Sequence, residues 1–261
     1  MKWIATSVSS LAVAVALSCC ATAPAPAGDT TPAPAADANA IPAYVTAAAA
    51  DPARGEDLQI DARRHGAELV AFSGVKPGDT VLELVPGSGY FTRIFSKVVG
   101  PNGHVYAAIP TPMEKYSDDT KKLPEAYPNV EILLQPANAL ATPALVDVAF
   151  TSQNYHDYPD KFMGPTDPAV LNAAVFRALK PGGLYVIVDH RGRPGTGLKE
   201  TESLHRIDIA TVKAQAKAAG FVLVAESPLL ANPADPKTVA VFDKSIRGHT
   251  DQFAYKFRKP R

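Results

Sequence analysis

The stretch that decides the fold is Val81-Leu82-Glu83-Leu84-Val85-Pro86-Gly87-Ser88-Gly89-Tyr90. It is an apolar run that ends in an acid, followed by a glycine turn and a segment with helical periodicity. Glycines let the backbone approach a ligand closely, and the N-terminus of a helix offers free N–H groups. A phosphate loop is disfavoured, because the Lys-Ser/Thr pair that completes such a loop is absent. A dinucleotide-binding loop and a simple tight turn are the alternatives.

Apolar runs and helical patterns alternate along the rest of the chain. We predict strands at 80–85, 104–109, 130–134, 146–151, 184–189, 221–227 and 252–258, and helices at 56–72, 90–99, 169–179 and 209–219. Short strands separated by helix-length segments indicate a parallel sheet that is covered on both faces. In an open α/β sheet, ligands bind beyond the carboxyl ends of the strands, near the point where the strand order reverses. We therefore expect an α/β fold with its site at that edge.

The first twenty residues have the features of an export signal. Lys2 precedes a run, residues 3–17, that contains no charge. This run is shorter than the roughly 20 residues that a membrane-spanning helix needs, which favours a signal peptide. Cys19 and Cys20 follow it and resemble a bacterial lipobox, in which a cysteine is acylated. We therefore expect residues 1–20 to direct export, to the periplasm or to the outer membrane as a lipoprotein.

Composition limits the partners of the remaining chain. Residues 21–50 consist mainly of Ala, Pro and Thr and are expected to form a disordered tether, so the folded domain is predicted to span 51–261. Lys+Arg and Asp+Glu are equal at 26 each, so no basic excess favours a nucleic-acid partner. Membrane contact is expected only through an N-terminal lipid, and no feature indicates a protein partner. Both cysteines lie before residue 21, so no disulfide or cysteine metal site is expected in the domain.

Three segments resemble class I S-adenosylmethionine-dependent methyltransferases. Residues 81–90 resemble the first motif of that family, residues 179–185 its turn into the fifth strand, and Ala219-Gly220-Phe221 its turn into the sixth. The resemblance covers roughly residues 56–261. It implies a Rossmann-like fold with a mostly parallel seven-stranded sheet, helices on both faces and an antiparallel last strand. More narrowly, the chain resembles an exported bacterial subgroup of predicted methyltransferases, which shares Asn154-Tyr155-His156-Asp157 and the closing segment Phe253–Pro260.

The resemblance implies S-adenosyl-L-methionine as the cofactor. The residues expected to bind it are Glu83, Pro86, Gly87, Ser88, Gly89, Tyr90, Asn138 and Asn154. The chain departs from the family pattern at three places. Val85 stands where a third glycine is usual, Ile109-Pro110 replaces the acid that bonds the ribose, and Gln135-Pro136-Ala137-Asn138 replaces the acid that meets the adenine. Asn138 or Gln135 could bond the adenine instead, and unpaired ribose hydroxyls would weaken binding by about 1–3 kcal/mol.

The segment after the fourth predicted strand is rich in hydrogen-bonding side chains. The residues expected to position the acceptor or to move a proton are Asn154, Tyr155, His156, His190 and His205. A solvated loop capped by Asp157 is the structural alternative. Asp208 suits the N-cap of the following helix. We predict no metal site, because the histidines are scattered without the paired spacing of metal ligands. A site formed by His156, His190, His205 and an aspartate is the less favoured alternative.

Residues 228–250 form a long insertion before the last predicted strand. Such segments act as lids or binding loops, or pack as loops without a function of their own. The function expected for the whole chain is methyl transfer from S-adenosylmethionine to a small-molecule acceptor in the cell envelope. The alternative is an envelope binding protein, or an enzyme, that uses this fold for another ligand. The export signal favours this alternative, because S-adenosylmethionine is made in the cytosol.

Overall fold

A seven-stranded sheet organises the structure, a computed structural model that describes residues 1–3 and 40–261. The strands are β1 Thr80–Leu84, β2 His104–Pro110, β3 Val130–Gln135, β4 Val146–Ser152, β5 Leu179–His190, β6 Val222–Ser227 and β7 Gln252–Arg258. Their order in the sheet is β3-β2-β1-β4-β5-β7-β6. The pairs β1–β2, β1–β4, β2–β3 and β4–β5 are parallel, and β7 is antiparallel to both β5 and β6. The predicted Rossmann-like sheet with an antiparallel last strand is therefore confirmed.

Helices cover both faces of this sheet. They are α1 Ala43–Ala49, α2 Asp61–Arg64, α3 Gly66–Ser73, α4 Tyr90–Val99, α5 Asp118–Lys121, α6 Leu123–Ala126, α7 Pro168–Ala178, α8 Thr201–Leu204 and α9 Ile209–Ala218. Short 3₁₀ segments lie at Pro52–Ile60, Thr111–Tyr116, Ala137–Ala139, Tyr155–Asp157 and Lys161–Met163. Among the described residues, no helix is both long enough and apolar enough to cross a membrane.

The core lies in two layers, one on each face of the sheet. Side chains of α7 and α9, such as Leu171 and Val212, pack on one face. Side chains of α1, α3 and α4, such as Val45, Leu69 and Ile94, pack on the other. Because both faces are covered, β1 is buried at almost every position instead of alternating between buried and exposed residues. This burial holds the strands rigid and places their carboxyl ends along one edge.

Two sequence expectations differ from the structure near the start of the domain. The predicted helix 56–72 is divided into a 3₁₀ segment that ends at Ile60, α2 and α3. The break between α2 and α3 falls at His65, whose backbone is left-handed with φ 50°. The predicted tether ends too late, since α1 lies within its last ten residues and the compact unit begins at Ile41. Alanines favour a helix, and Val45, Ala48 and Ala49 give that helix a buried face. The signal peptide and the rest of the tether fall on residues 4–39, outside the described residues.

Candidate active site

The loops that follow β1 and β4 meet at the carboxyl edge of the sheet. Asn154 Nδ2 donates to the backbone oxygen of Val85 at 3.2 Å and to that of Ser152 at 2.6 Å. The backbone N–H of Val85 donates to the oxygen of Ala108 at 2.9 Å, which attaches the same loop to β2. β1 lies between β2 and β4, so this contact marks the point where the strand order reverses. The structure therefore brings the glycine loop and the Asn154 segment together.

The glycine loop is open on one side and covered on the other. Gly87 and Ser88 are exposed, and a side chain built on Gly87 would meet no atom within 4 Å. Gly89, in contrast, is covered by Leu123, which lies 2.5 Å from where its Cβ would be. Thr120 also donates a hydrogen bond to the backbone oxygen of Gly87. The segment after β2 thus holds the loop from one side and leaves the Gly87–Ser88 backbone accessible.

Val85 keeps the backbone conformation of the glycine that it replaces. Its φ is 52°, in the left-handed region, which is unusual for a β-branched residue. Such a conformation costs about 1–3 kcal/mol and persists only where the surroundings hold it in place. The hydrogen bonds to Ala108 and from Asn154 provide that hold. The loop therefore keeps the backbone conformation of the motif, although valine stands in place of the glycine.

Two expected cofactor contacts point away from the open side of the loop. Glu83 is only 3% exposed and accepts a hydrogen bond from Thr92 Oγ1 at 2.6 Å. Burial raises the pKa of Glu83 to about 8, although the Thr92 hydrogen bond and the charges of Arg64 and Arg93 act in the opposite direction. The hydroxyl of Tyr90 donates to Asp61 Oδ1 at 2.6 Å. The expectation that the Glu83 and Tyr90 side chains contact the cofactor is corrected, because Glu83 of β1 is bound to Thr92 of α4 and Tyr90 of α4 is bound to Asp61. Pro86 is likewise buried.

The region expected to receive the adenine is apolar. The Gln135 side chain bonds the backbone of Ala141, at 3.0 Å from Nε2 and 3.3 Å from Oε1, so it is not free to bond a base. Asn138 is exposed to solvent. Between the ends of β2 and β3 lies a slot of about 10 Å³ lined by apolar side chains, among them Ile109, Leu140 and Leu171. An adenine would fit there only after side chains had moved.

Tyr155 does not reach this edge. Its side chain is fully buried between α7 and α9, where its hydroxyl donates to Gln215 Oε1 at 3.0 Å and accepts from Asn172 Nδ2 at 2.7 Å. Both partners use the hydroxyl within the core. The expectation that Tyr155 positions an acceptor is therefore corrected, and its role is to anchor the loop that carries His156.

His156 lies between two carboxylates. Its Nδ1 is 2.7 Å from Asp189 Oδ1, and its Nε2 is 2.9 Å from Asp157 Oδ1. Burial alone would lower the pKa of His156, but the charges and hydrogen bonds of Asp189 and Asp157 outweigh it and raise the pKa to about 10. The two carboxylates therefore favour the protonated form of the ring.

The other two histidines lie beside His156. The ring centroids of His190 and His205 are 5.8 Å and 5.4 Å from that of His156. Burial lowers the pKa of His190 to about 4, and its Nδ1 is 2.8 Å from Thr250 Oγ1. His205 has a side chain that is 22% exposed, and its ring contacts Phe242 with a centroid separation of 4.8 Å. The structure thus gathers all three predicted histidines.

Arg64 is a candidate ligand-binding residue that the sequence alone does not predict. Its guanidinium lies over the rings of Tyr90 and Phe91 at 5.0 Å and 5.1 Å, and Nη1 donates to Gln153 Oε1 at 3.3 Å. With His190 and Phe242 it lines a cavity of about 140 Å³. In the sequence it belongs to a charged run that is typical of a solvated helix face, so no local signal marks it.

The insertion 228–250 packs against this region, and a buried ion pair holds it in place. Arg206 and Asp235 are both fully buried and joined by two hydrogen bonds, of 2.8 Å and 3.1 Å. Near its end the insertion supplies Phe242, which is 60% exposed, and Thr250, the partner of His190. The first part is therefore a packed loop, and the last part forms one wall of the 140 Å³ cavity.

Comparisons with known proteins support the fold and the motif. No family model matches the chain. A ubiquinone/menaquinone biosynthesis C-methyltransferase UbiE from Marinomonas sp. is 30% identical over 196 residues, which cover 73% of this chain and 66% of the relative. The chain spans only part of the length of the curated UbiE relatives that it matches, from about 42% to 66% of each.

Two solved structures share the fold. A SAM-dependent methyltransferase from Aquifex aeolicus has a TM-score of 0.56 at 20% identity and covers 80% of this chain and 98% of its own. The [4+2]-cyclase SpnF has a TM-score of 0.58 at 16% identity, with 76% and 81% covered.

Strand order, loop geometry and relatives agree with one another. The 3-2-1-4-5-7-6 sheet, the left-handed turn at residues 85–89 and the curated relatives all point to one family, for which S-adenosyl-L-methionine is the implied cofactor. The chain is therefore similar, in fold and in sequence, to class I S-adenosylmethionine-dependent methyltransferases.

Proposed function

We propose that the protein transfers a methyl group from S-adenosylmethionine to a small-molecule acceptor. The observation that carries this proposal is the hydrogen bond from Asn154 to Val85, which joins the β4 loop to a glycine loop whose Gly87–Ser88 backbone is exposed. Free backbone N–H groups at the start of a helix suit the polar groups of such a cofactor. The Arg64 guanidinium suits its carboxylate, because arginine presents paired donors to a carboxylate.

The acceptor would occupy the 140 Å³ cavity that lies between Arg64 of α2, His190 at the end of β5 and the last part of the insertion. Methyl transfer from sulfur is an in-line displacement, so the protein contributes mainly approach geometry and the exclusion of water. Where the acceptor must lose a proton, His190 suits the task better than His156. His190 is neutral at pH 7, since its pKa lies near 4, and it lines the cavity. The exposed rings of Phe242 and Phe162 favour an acceptor with an apolar or aromatic body.

Calorimetric titration of the full chain with S-adenosylmethionine and S-adenosylhomocysteine tests the proposal. We expect micromolar binding to the unaltered protein and none to Gly87→Arg, because an arginine there would occupy the open side of the loop. Gly78→Arg is the matched control. Gly78 also has a positive φ and no atom within 4 Å of its Cβ, but it lies before β1, at the opposite edge of the sheet. Absence of heat and of thermal stabilisation in the unaltered protein would reject cofactor binding.

A second candidate is a protein that uses this fold for another ligand. It is favoured by the loss of both acids that meet the cofactor nucleoside, and by the engagement of Gln135 within its own turn. A similar fold in a protein described as a cyclase shows that the fold does not dictate methyl transfer. Failure of the titration, with the protein folded, would favour this candidate.

We further propose that the chain acts in the cell envelope, either in the periplasm or as a lipoprotein. The support is the uncharged run 3–17 and the cysteines that follow it. Cell fractionation tests this: a protein found in the cytosol with residues 1–19 still attached would contradict it.

A further inference from the structure

Three donor atoms of the histidine cluster converge on one point. His156 Nε2 is 2.9 Å from Asp157 Oδ1, His205 Nδ1 is 3.2 Å from the same oxygen, and the two nitrogens are 3.3 Å apart. Each residue offers one ligand atom to the group. These side chains come from the 3₁₀ segment after β4 and from the residue that follows α8. The triangle is therefore built by the fold, and the sequence spacing does not reveal it.

The size of this triangle matches the coordination sphere of a metal ion. Zinc bound by nitrogen and oxygen at about 2.0–2.1 Å in tetrahedral geometry holds its ligand atoms about 3.3 Å apart. The same spacings also suit hydrogen bonds between the protonated rings and Asp157, so metal binding would replace those protons. Two histidines and one carboxylate also form a ligand set that is typical of catalytic zinc sites, in which a fourth position stays open.

A second carboxylate orients the ligand ring. Asp189 accepts hydrogen bonds from the backbone N–H of both His156 and His190 at 2.7 Å, so its oxygens are acceptors. Asp189 Oδ1 is also 2.7 Å from His156 Nδ1, which holds the ring hydrogen on that nitrogen. An ion at the centre would replace the proton that Nε2 shares with Asp157 Oδ1, and the Nε2 lone pair would then face the ion. Metal-bound histidines are commonly held by a carboxylate in this way.

The charge around the centre also favours a cation. Asp157 and Asp189 are both buried beside it, and Asp160 is buried nearby, its Oδ2 having no hydrogen-bond partner among the described residues. Arg206, a fully buried arginine, is already engaged by Asp235. A divalent ion would therefore compensate negative charge that the described protein groups leave only partly balanced.

We propose that His156, Asp157 and His205 bind a divalent transition-metal ion, for which Zn²⁺ has the best-fitting geometry. Three protein ligands leave a position for water or for an oxygen or nitrogen atom of a small molecule. The exposed Phe242 and the partly exposed side chain of His205 lie at this place, so a small molecule can approach from solvent. The proposal stands independently of methyl transfer.

Direct metal binding to the full chain tests the proposal. The protein is stripped with a chelator, titrated with ZnCl₂ in a calorimeter, and titrated separately with CoCl₂ while visible absorption is recorded. We expect one ion per chain and the absorption typical of four-coordinate Co²⁺. His205→Gly and Asp157→Ala should each weaken Zn²⁺ binding by at least about 100-fold, because each removes one of three ligands.

The matched control is His65→Gly. His65 and His205 are both histidines with left-handed backbones, φ 50° and φ 53°, so glycine suits both positions equally. His65 lies between α2 and α3, outside the cluster, and its substitution should leave Zn²⁺ binding unchanged. Thermal unfolding without metal verifies that each variant is folded.

Two results would overturn the proposal. One is the absence of Zn²⁺ and Co²⁺ binding to the unaltered chain, in which case protons alone hold the cluster together. The other is unchanged binding in both His205→Gly and Asp157→Ala, which would place the ion elsewhere. Because the titration contains no S-adenosylmethionine, a protein that binds Zn²⁺ and not the cofactor would reject the proposed function and leave this site intact.

Discussion

Glu83 ties the stability of the glycine loop to pH. Its folded-state pKa of about 8 exceeds the ordinary value of 4.5, because the side chain is buried under α4. A raised pKa means that its favourable contribution is fully present below pH 4.5 and is lost as the pH rises through 8. The cost at neutral pH is about 1–3 kcal/mol in free energy of unfolding.

We expect Glu83→Gln to remove this pH dependence. The amide oxygen can still accept the hydrogen bond from Thr92, and no charge is buried at any pH. The variant should therefore be more stable than the unaltered protein at pH 8 by about 3–5 kcal/mol and nearly equal to it at pH 4. Urea unfolding at both pH values measures this difference. Glu125→Gln, at an exposed acid, is the control, and an equal gain in both variants would contradict the assignment.

At the residue scale the sequence predicts where the functional loops lie better than it predicts the direction of their side chains. It locates the glycine turn and the polar loop after β4, since both follow from local composition. It does not reveal that Tyr155 points into the core or that Arg64 lies over Tyr90, because those directions depend on partners distant in sequence: Gln215 is 60 residues from Tyr155. At Val85 the opposite holds. A valine at this position predicts that the left-handed backbone conformation is lost, yet the structure keeps it.

At the scale of elements, the insertion 228–250 depends on a buried ion pair. Arg206 and Asp235 are both inaccessible to solvent, and Asp235 also accepts from the backbone N–H groups of Lys237 and Asp251. Removing one partner leaves an uncompensated buried charge, so we expect Asp235→Ala to lower the free energy of unfolding by about 3–5 kcal/mol.

A double variant separates the charge effect from the loss of the loop contacts. Arg206→Met with Asp235→Leu removes both charges and should recover most of the stability that Asp235→Ala loses. Urea unfolding of the three proteins gives the comparison. If the single and double variants are equally destabilised, the backbone contacts of Asp235, and not its pairing with Arg206, hold the insertion.

Long, strongly patterned elements follow from the sequence. The predicted bounds of α4 and β7 match the structure, because glycines flank α4 and aromatic residues at every second position, Phe253, Tyr255 and Phe257, mark β7. The predicted helix 56–72 fails at His65, where a left-handed residue interrupts an otherwise helical pattern. Histidine carries no strong breaking signal of its own, so only the tertiary contacts of α2 and α3 decide the break.

At the scale of the whole molecule, alternating strands and helices are enough to predict the sheet and its functional edge. They do not predict the histidine cluster. His156 and His205 are 49 residues apart, and Asp189 is 33 residues from His156, so these groups meet only after β4, β5 and α8 are in place. Side chains that come from three separate elements show no regular spacing in the sequence. The lack of paired histidine spacing is therefore a weak argument against a metal site.

The extent of the folded unit is the last point that the sequence misjudged. Val45 of α1 is fully buried against α4, and Arg54 donates to the backbone oxygen of Ala49. A chain that lacks residues 1–50 should therefore be less stable than a chain that lacks residues 1–40, by at least about 2 kcal/mol in free energy of unfolding. Val45→Ala in the full chain should cost about 1–3 kcal/mol, and Thr46→Ala, at the exposed neighbour, almost nothing. Equal urea midpoints for the two truncated chains would mean that α1 adds nothing to the core.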